Sequence, residues 1–331
     1  MTRLRIPFIA VAVVTPAMAL AQTPAPQPPA PQTPPPARAA PRLAVVKEGP
    51  LTLHVRDLSP RFLAFWEAAQ TAPDAEARFK LWKQLYGFAA VPPTPEGDAM
   101  ARRLVDGAWR RYGEAVAPAQ AGWQGMRPAP LPILAKVATT LGVEQPVEIE
   151  LVTFVGSFDD NAYTYRARFP TVVIPLESEP KTRARILAHE GAHAIHMITS
   201  NASGGWERSV AATMLQEGVA IHVSQEVVPG QPLDAYLSHR PGWRQESQAK
   251  ERVILTGLRT KLERKDSDAV SSVTVREGEA SGVEREAYYG GWRVVTQLRK
   301  DGMTLAQIAR IPEAEMPAVV DKAIEALLRQ R

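Results

Sequence analysis

The sequence predicts an α+β protein, mainly helical, with a small mixed sheet beside two consecutive helices. Three observations carry this. From residue 59 onward most apolar residues recur at helical spacing. Two short runs, 148–155 and 171–176, are instead rich in β-branched residues and read as strands. Segments 181–200 and 206–225 both read as helices, and the residues between them, Asn201, Ala202, Ser203, Gly204 and Gly205, have turn chemistry that can reverse the chain.

Composition sets the outer limits. The chain has 331 residues, 45% of them apolar, which suffices for one large core or two. Its net charge of +4 comes from scattered arginines and falls to +2 without Arg3 and Arg5. That is too weak for a nucleic-acid partner. There is no cysteine, which excludes disulfides, thiolate metal ligands and a lipid-modified cysteine.

Residues 1–21 read as a signal peptide. Arg3 and Arg5 precede an apolar run over 6–14, and Ala19-Leu20-Ala21 fits a cleavage site. The run is too short for a membrane span. The expectation is a periplasmic or secreted protein with no stable membrane insertion after cleavage; an uncleaved anchor is the alternative. Residues 22–42 are low-complexity Pro, Ala and Gln and read as a disordered linker.

Residues 43–146 form a mainly helical N-terminal part. A short strand pair over 43–55 leads in. Ser59 and Pro60 open a helix to about residue 70 as cap and first turn. In 74–86, Phe79, Trp82 and Tyr86 share a face, a core stripe. The helix over 95–116 places Met100, Leu104, Ala108 and Tyr112 in register, and a shorter one over 131–141 ends at Gly142. None of these carries a chemical motif.

Residues 147–230 hold the candidate chemistry. His189-Glu190-Gly191-Ala192-His193 reads His-Glu-x-x-His inside a proline-free helical stretch. Residues four apart on a helix lie ~40° and ~6 Å from each other, so two imidazoles at that spacing can share one Zn²⁺. Glu190 falls on the flank of that face, beside the water of such an ion and not among its ligands. A catalytic zinc site takes three protein ligands and one open position. Glu217, 24 residues past His193 on the second helix, is the third ligand if the helices run antiparallel; Glu207 is the next acid to consider. His196 stands ~10 Å along the axis from His189, too far to share its ion, and reads as a supporting or core residue. His222 reads as structural, and His54 and His239 have no evident partners in sequence.

His-Glu-x-x-His followed by Glu217-Gly218 and Ala220 resembles the gluzincins, the thermolysin-like zinc peptidases, over roughly residues 147–225. The resemblance implies a zincin-like core in which one Zn²⁺ is held by His189, His193 and Glu217, with Glu190 as general base. Asn161, Ala162 and Tyr163 look like the Asn-Ala-aromatic edge strand that binds substrate backbone; a plain Asp-Asn turn is the other reading. Tyr288 or Tyr289, or else Arg285, would supply the oxyanion donor; two core tyrosines are the alternative. One departure is Ile221, where thermolysin-like enzymes carry an Asp that orients the first histidine.

Residues 231–331 complete the cleft as a C-terminal helical part. It comprises a long helix over 244–265, a polar loop over 266–282, a loop entering a helix over 282–298 whose Gly290 and Gly291 would let the backbone approach the cleft, and two closing helices over 305–309 and 313–328. The implied function is an exported zinc metallopeptidase acting on a peptide or protein substrate. The alternatives are a non-catalytic zincin-scaffold binding protein and a zinc amidohydrolase acting on a non-protein amide.

Overall fold

The computed structural model describes residues 37–89, 91, 94–202 and 208–330. The signal peptide, residues 22–36 of the linker and Glu207 lie outside them. The fold is the mainly helical α+β arrangement expected.

Strands β1 (Arg42–Glu48) and β2 (Leu51–Asp57) form an antiparallel hairpin. Helices α1 (Ser59–Ala69), α2 (Ala75–Leu81), α3 (Pro95–Ala108), α4 (Val116–Ala121) and α5 (Pro130–Thr140) follow. Next come β3 (Val147–Phe154), β4 (Tyr163–Arg166) and β5 (Pro170–Pro175), then the long helices α6 (Pro180–Thr199) and α7 (Val210–Val227). The remainder is helical: α8 (Leu233–Leu237), α9 (Trp243–Ala249), α10 (Glu251–Arg259), α11 (Ser267–Thr274), α12 (Glu286–Lys300), α13 (Leu305–Ile308) and α14 (Met316–Arg329).

The five strands order as β1-β2-β3-β5-β4. The sheet is mixed: β2, β3 and β5 run parallel, and β1 and β4 are antiparallel outer strands. Strand alternation sends Leu51, Leu53, Val55, Ile149, Leu151, Val172 and Ile174 to one face, where they join α5, α6 and α7 in the larger core. Val152, Phe154 and Val173 face the other way and meet an aromatic core of Phe62, Phe65, Phe79, Trp82, Tyr86 and Tyr112. The aromatic stripe is therefore core, as its spacing indicates.

Four local expectations change. Ser59 begins α1, but its own N–H is capped by the buried Asp57, which accepts it at 2.9 Å and the Thr153 hydroxyl at 3.0 Å. The helix expected over 95–116 ends at Ala108 and passes into a 3-10 turn over Trp109–Ala115; Ala108 and Tyr112 are buried as its register indicates, but Met100 is 41% exposed and Ala101 and Val105 take the buried positions. The long helix over 244–265 is broken at Lys250 into α9 and α10. The polar stretch over 266–282 contains α11, because Asp266 caps it by accepting from Ala269 N and its Ala269, Val270 and Val273 are buried.

Helix α7 is buried on every side, 16 of its 18 residues being out of solvent. It meets α12 at two glycines. A Cβ on Gly218 would strike the Gly291 carbonyl, and one on Gly291 would strike the Met214 carbonyl. The Gly290-Gly291 pair thus serves helix–helix approach, where the sequence suggested approach to the cleft. Higher on the same contact, His222 Nε2 lies 3.3 Å from the Trp292 carbonyl and 3.1 Å from Thr296 Oγ1, with Arg299 3.5 Å from Nδ1. Burial above all, and the Arg299 charge, outweigh the Trp292 carbonyl and push the His222 ring down to about 4.

Gly291→Ala should lose about 3 kcal/mol of stability in urea titration, since the clashing partner is backbone and cannot rotate away. Gly257→Ala, in α10 with open space around its Cβ, should instead gain roughly 0.5–1 kcal/mol. His222 is neutral in the folded chain but protonates in the unfolded chain below its ordinary value of 6.5. Its contribution is thus complete above that pH and is lost as pH falls toward about 4. On moving from pH 7 to pH 5, His222→Gln should lose about 2 kcal/mol less than the parent protein.

Candidate metal centre

Helices α6 and α7 pack against each other and bring three side chains to one point. His189 and His193 are one turn apart on α6, with ring centroids 4.8 Å apart and planes at 82°. Glu217 projects from the middle of α7. The two Nε2 atoms are 3.1 Å apart, and Glu217 Oε2 lies 3.2 Å from that of His189 and 3.4 Å from that of His193. Tetrahedral ligands 2.0–2.1 Å from a zinc ion stand ~3.3–3.4 Å from one another, so the triangle fits three corners of such a tetrahedron.

The spacing calls for positive charge among the three groups. Glu217 Oε2 is buried yet not aligned as a hydrogen-bond acceptor to any described group. Two ring nitrogens at 3.1 Å, both facing a carboxylate oxygen, repel unless a proton or cation sits among them. His189, His193 and Glu217 form a candidate metal centre. Among the described residues it is the one such cluster of three.

No family model, no curated protein and no solved structure matches the chain. The assignment of the centre stands on its own geometry.

Electrostatics agree with that geometry. Burial alone would raise the Glu217 carboxyl, but the His193 and His189 rings outweigh it and hold it well below the usual carboxylate range. Burial pushes His193 down, but Glu217 and, more weakly, Glu190 overcome both that and the Arg208 charge, leaving the ring raised. Each group thus favours the charged form of the other. The His193 Nδ1 has no partner among the described residues, and Ile221, 1% exposed, is core.

Glu190, buried beside the triad, is held by a residue the sequence reading did not single out. Thr164 Oγ1 lies 2.7 Å from Glu190 Oε2 and 3.0 Å from the Glu190 carbonyl oxygen. The alternation of Tyr163, Thr164, Tyr165 and Arg166 was the available signal: it marks a strand whose even members face away from the two tyrosines. Asn161 is exposed, and its N–H closes a turn on Asp159 Oδ1 at 3.3 Å. Ala162 packs against the larger core and Tyr163 starts β4, so the turn and the outer strand both exist, one after the other.

The two C-terminal tyrosines separate. The Tyr288 hydroxyl is held well above its ordinary range by burial and by the nearby Glu217 and Glu190 carboxylates, against the opposing Arg285. Arg285 sits in the left-handed region at φ 59° and stacks its guanidinium 4.0 Å from the Tyr288 ring. The Tyr289 hydroxyl is committed elsewhere, donating to Glu251 Oε2 at 2.5 Å. His196 is core: 1% exposed, without ring partners among the described residues, and driven by burial down to about 3. His54 and His239 do have partners, Glu148 at 2.6 Å and Glu284 at 2.9 Å.

A metal ion takes the two imidazoles neutral and the carboxylate ionised, and so competes with protons for all three. Zinc binding should therefore release protons, measurable by calorimetry in buffers of different ionisation enthalpy. The apparent Kd should rise about tenfold per pH unit for each proton displaced as pH falls.

Proposed function

We propose that the protein is a metal-dependent hydrolase of peptide bonds, with zinc as its ion. The observation that carries the proposal is the His189–His193–Glu217 triangle with an acid, Glu190, beside it and outside it. The resemblance of residues 147–225 to the gluzincins points the same way.

The residues fit the ion: Nε2 of His189, Nε2 of His193 and Oε2 of Glu217 would hold it. When bound, zinc polarises a carbonyl and makes water a nucleophile near neutral pH. Glu190 takes a proton from the attacking water at Oε1, its Oε2 being engaged by Thr164, and hands it to the leaving amine. Tyr288, kept protonated, is the donor to the oxygen of the carbonyl under attack. An extended substrate pairs with the outer edge of β4, where no strand among the described residues is a neighbour. The basic and apolar start of the chain and its Ala-x-Ala site support a periplasmic or secreted location.

Metal analysis before and after chelation, with digestion of fluorescein-labelled casein and a peptide library, tests this. Glu190→Gln should keep one metal per chain and lose roughly 10²–10⁴-fold in turnover. Glu217→Ala should lose stoichiometric metal. A protein that binds zinc but cleaves neither probe would point to the non-catalytic scaffold or to a non-peptide amide as substrate, the latter resolved by an amide panel.

A further inference from the structure

Two side chains on one face of β4 fasten that strand to α6. Thr164 meets Glu190 Oε2 at 2.7 Å and the Glu190 carbonyl at 3.0 Å. Arg166 donates from Nη2 to the Met197 carbonyl at 2.8 Å and to the Ala202 carbonyl at 3.1 Å. Glu190 and Met197 are about two helical turns apart, so the strand is pinned along α6 and cannot swing about a single contact. On the opposite face, Tyr163 and Tyr165 stack at 5.9 Å and pack against the aromatic core. Pairing of Thr164 with Val172 of β5 fixes the remaining direction. Thr164 therefore stands on a rigid support.

What it holds matters because of charge. Glu190 follows His189 directly and is 9% exposed. A carboxylate that close to a divalent cation is attracted to it as a ligand, strongly so where water is scarce. A glutamate drawn into the fourth position would close the site. The hydroxyl of Thr164 carries one hydrogen, and the shorter contact directs it to Oε2. A hydrogen bond to an ionised acceptor is among the stronger ones available.

We infer that Thr164 is a positioning residue that holds the Glu190 carboxylate off the His189–His193–Glu217 centre and so keeps the fourth coordination position open. The inference rests on the reading of that triad as a metal centre. It assigns to β4 a task apart from pairing with substrate: the strand's inner face sets the rotamer of the acid on α6.

The test uses the full chain loaded with Co²⁺, whose visible absorption reports coordination number and ligand set. Parent protein, Thr164→Val, Thr164→Ser and the double variant Thr164→Val with Glu190→Gln are compared at equal metal stoichiometry. Valine keeps the β-branched shape and removes the donor. Thr164→Val should shift the cobalt band and its intensity, Thr164→Ser should restore the parent spectrum, and the double variant should lack the shift because an amide is a poorer ligand. On labelled casein, Thr164→Val should lose roughly 10- to 100-fold in kcat, with KM within about twofold, and Thr164→Ser should recover most of it. A Thr164→Val spectrum that superposes on the parent's overturns the inference and leaves the metal centre standing. A parent chain that takes up no Co²⁺ at the triad overturns the metal centre itself, and the inference with it.

Discussion

The structure depends on one carboxylate placed where carboxylates are rarely found. Glu217 sits midway along α7, a helix buried on all sides, and is itself 5% exposed. Removing a charge from water costs several kcal/mol even after relaxation, so such a group persists only when paired or bound to a cation. The partners here come from a single turn of α6. Everything that sets the distance between α6 and α7 is therefore also part of the site: the larger sheet core on one side and the Gly218–Gly291 contact with α12 on the other. The packing of the C-terminal helices is a condition for the triangle and not an accessory to it.

The sheet contributes in a different way. Its three inner parallel strands, β2, β3 and β5, form a layer that packs against α6, and its outer strand β4 reaches over to grip α6 at Glu190 and at the Met197 carbonyl. The helical front half packs on the opposite sheet face around Phe62, Phe65 and Tyr86. It supports the strands that support the site. A half-buried acid, Glu177, fixes the start of the loop that leads to β4: its Oε1 accepts from Gly156 N at 2.9 Å and Phe158 N at 3.3 Å.

Much of this was legible in the sequence, for physical reasons that differ from place to place. The triad was legible because i, i+4 spacing on a helix fixes where two imidazoles point, and because a turn-rich segment between two helices favours their antiparallel return. The aromatic core was legible because Phe79, Trp82 and Tyr86 repeat at the helical period. Thr164 was not, because its role comes from a sheet edge meeting a helix 26 residues later in the chain, a relation that no local period encodes. The partition of the tyrosines was equally hidden: Tyr288 and Tyr289 differ by about 100° around α12, and only the neighbours of that helix decide which hydroxyl faces the carboxylates and which meets Glu251. The helix α11 was missed since its exposed face is polar and its short buried face, Ala269, Val270 and Val273, is too small to dominate the pattern.

The arrangement also bears on whether the centre is structural or reactive. A structural zinc site closes its coordination with a fourth protein ligand, whereas a reactive one leaves that position free. The acid best placed to close this centre is Glu190, and a neighbouring strand restrains it through its carboxylate. A site under demand for stability alone would gain by letting Glu190 coordinate, since this would neutralise more charge and fill the tetrahedron. Retaining an ionisable group beside the centre, buried, restrained and outside the ligand triangle, is costly in stability terms, and this cost supports the proposal that the group transfers protons.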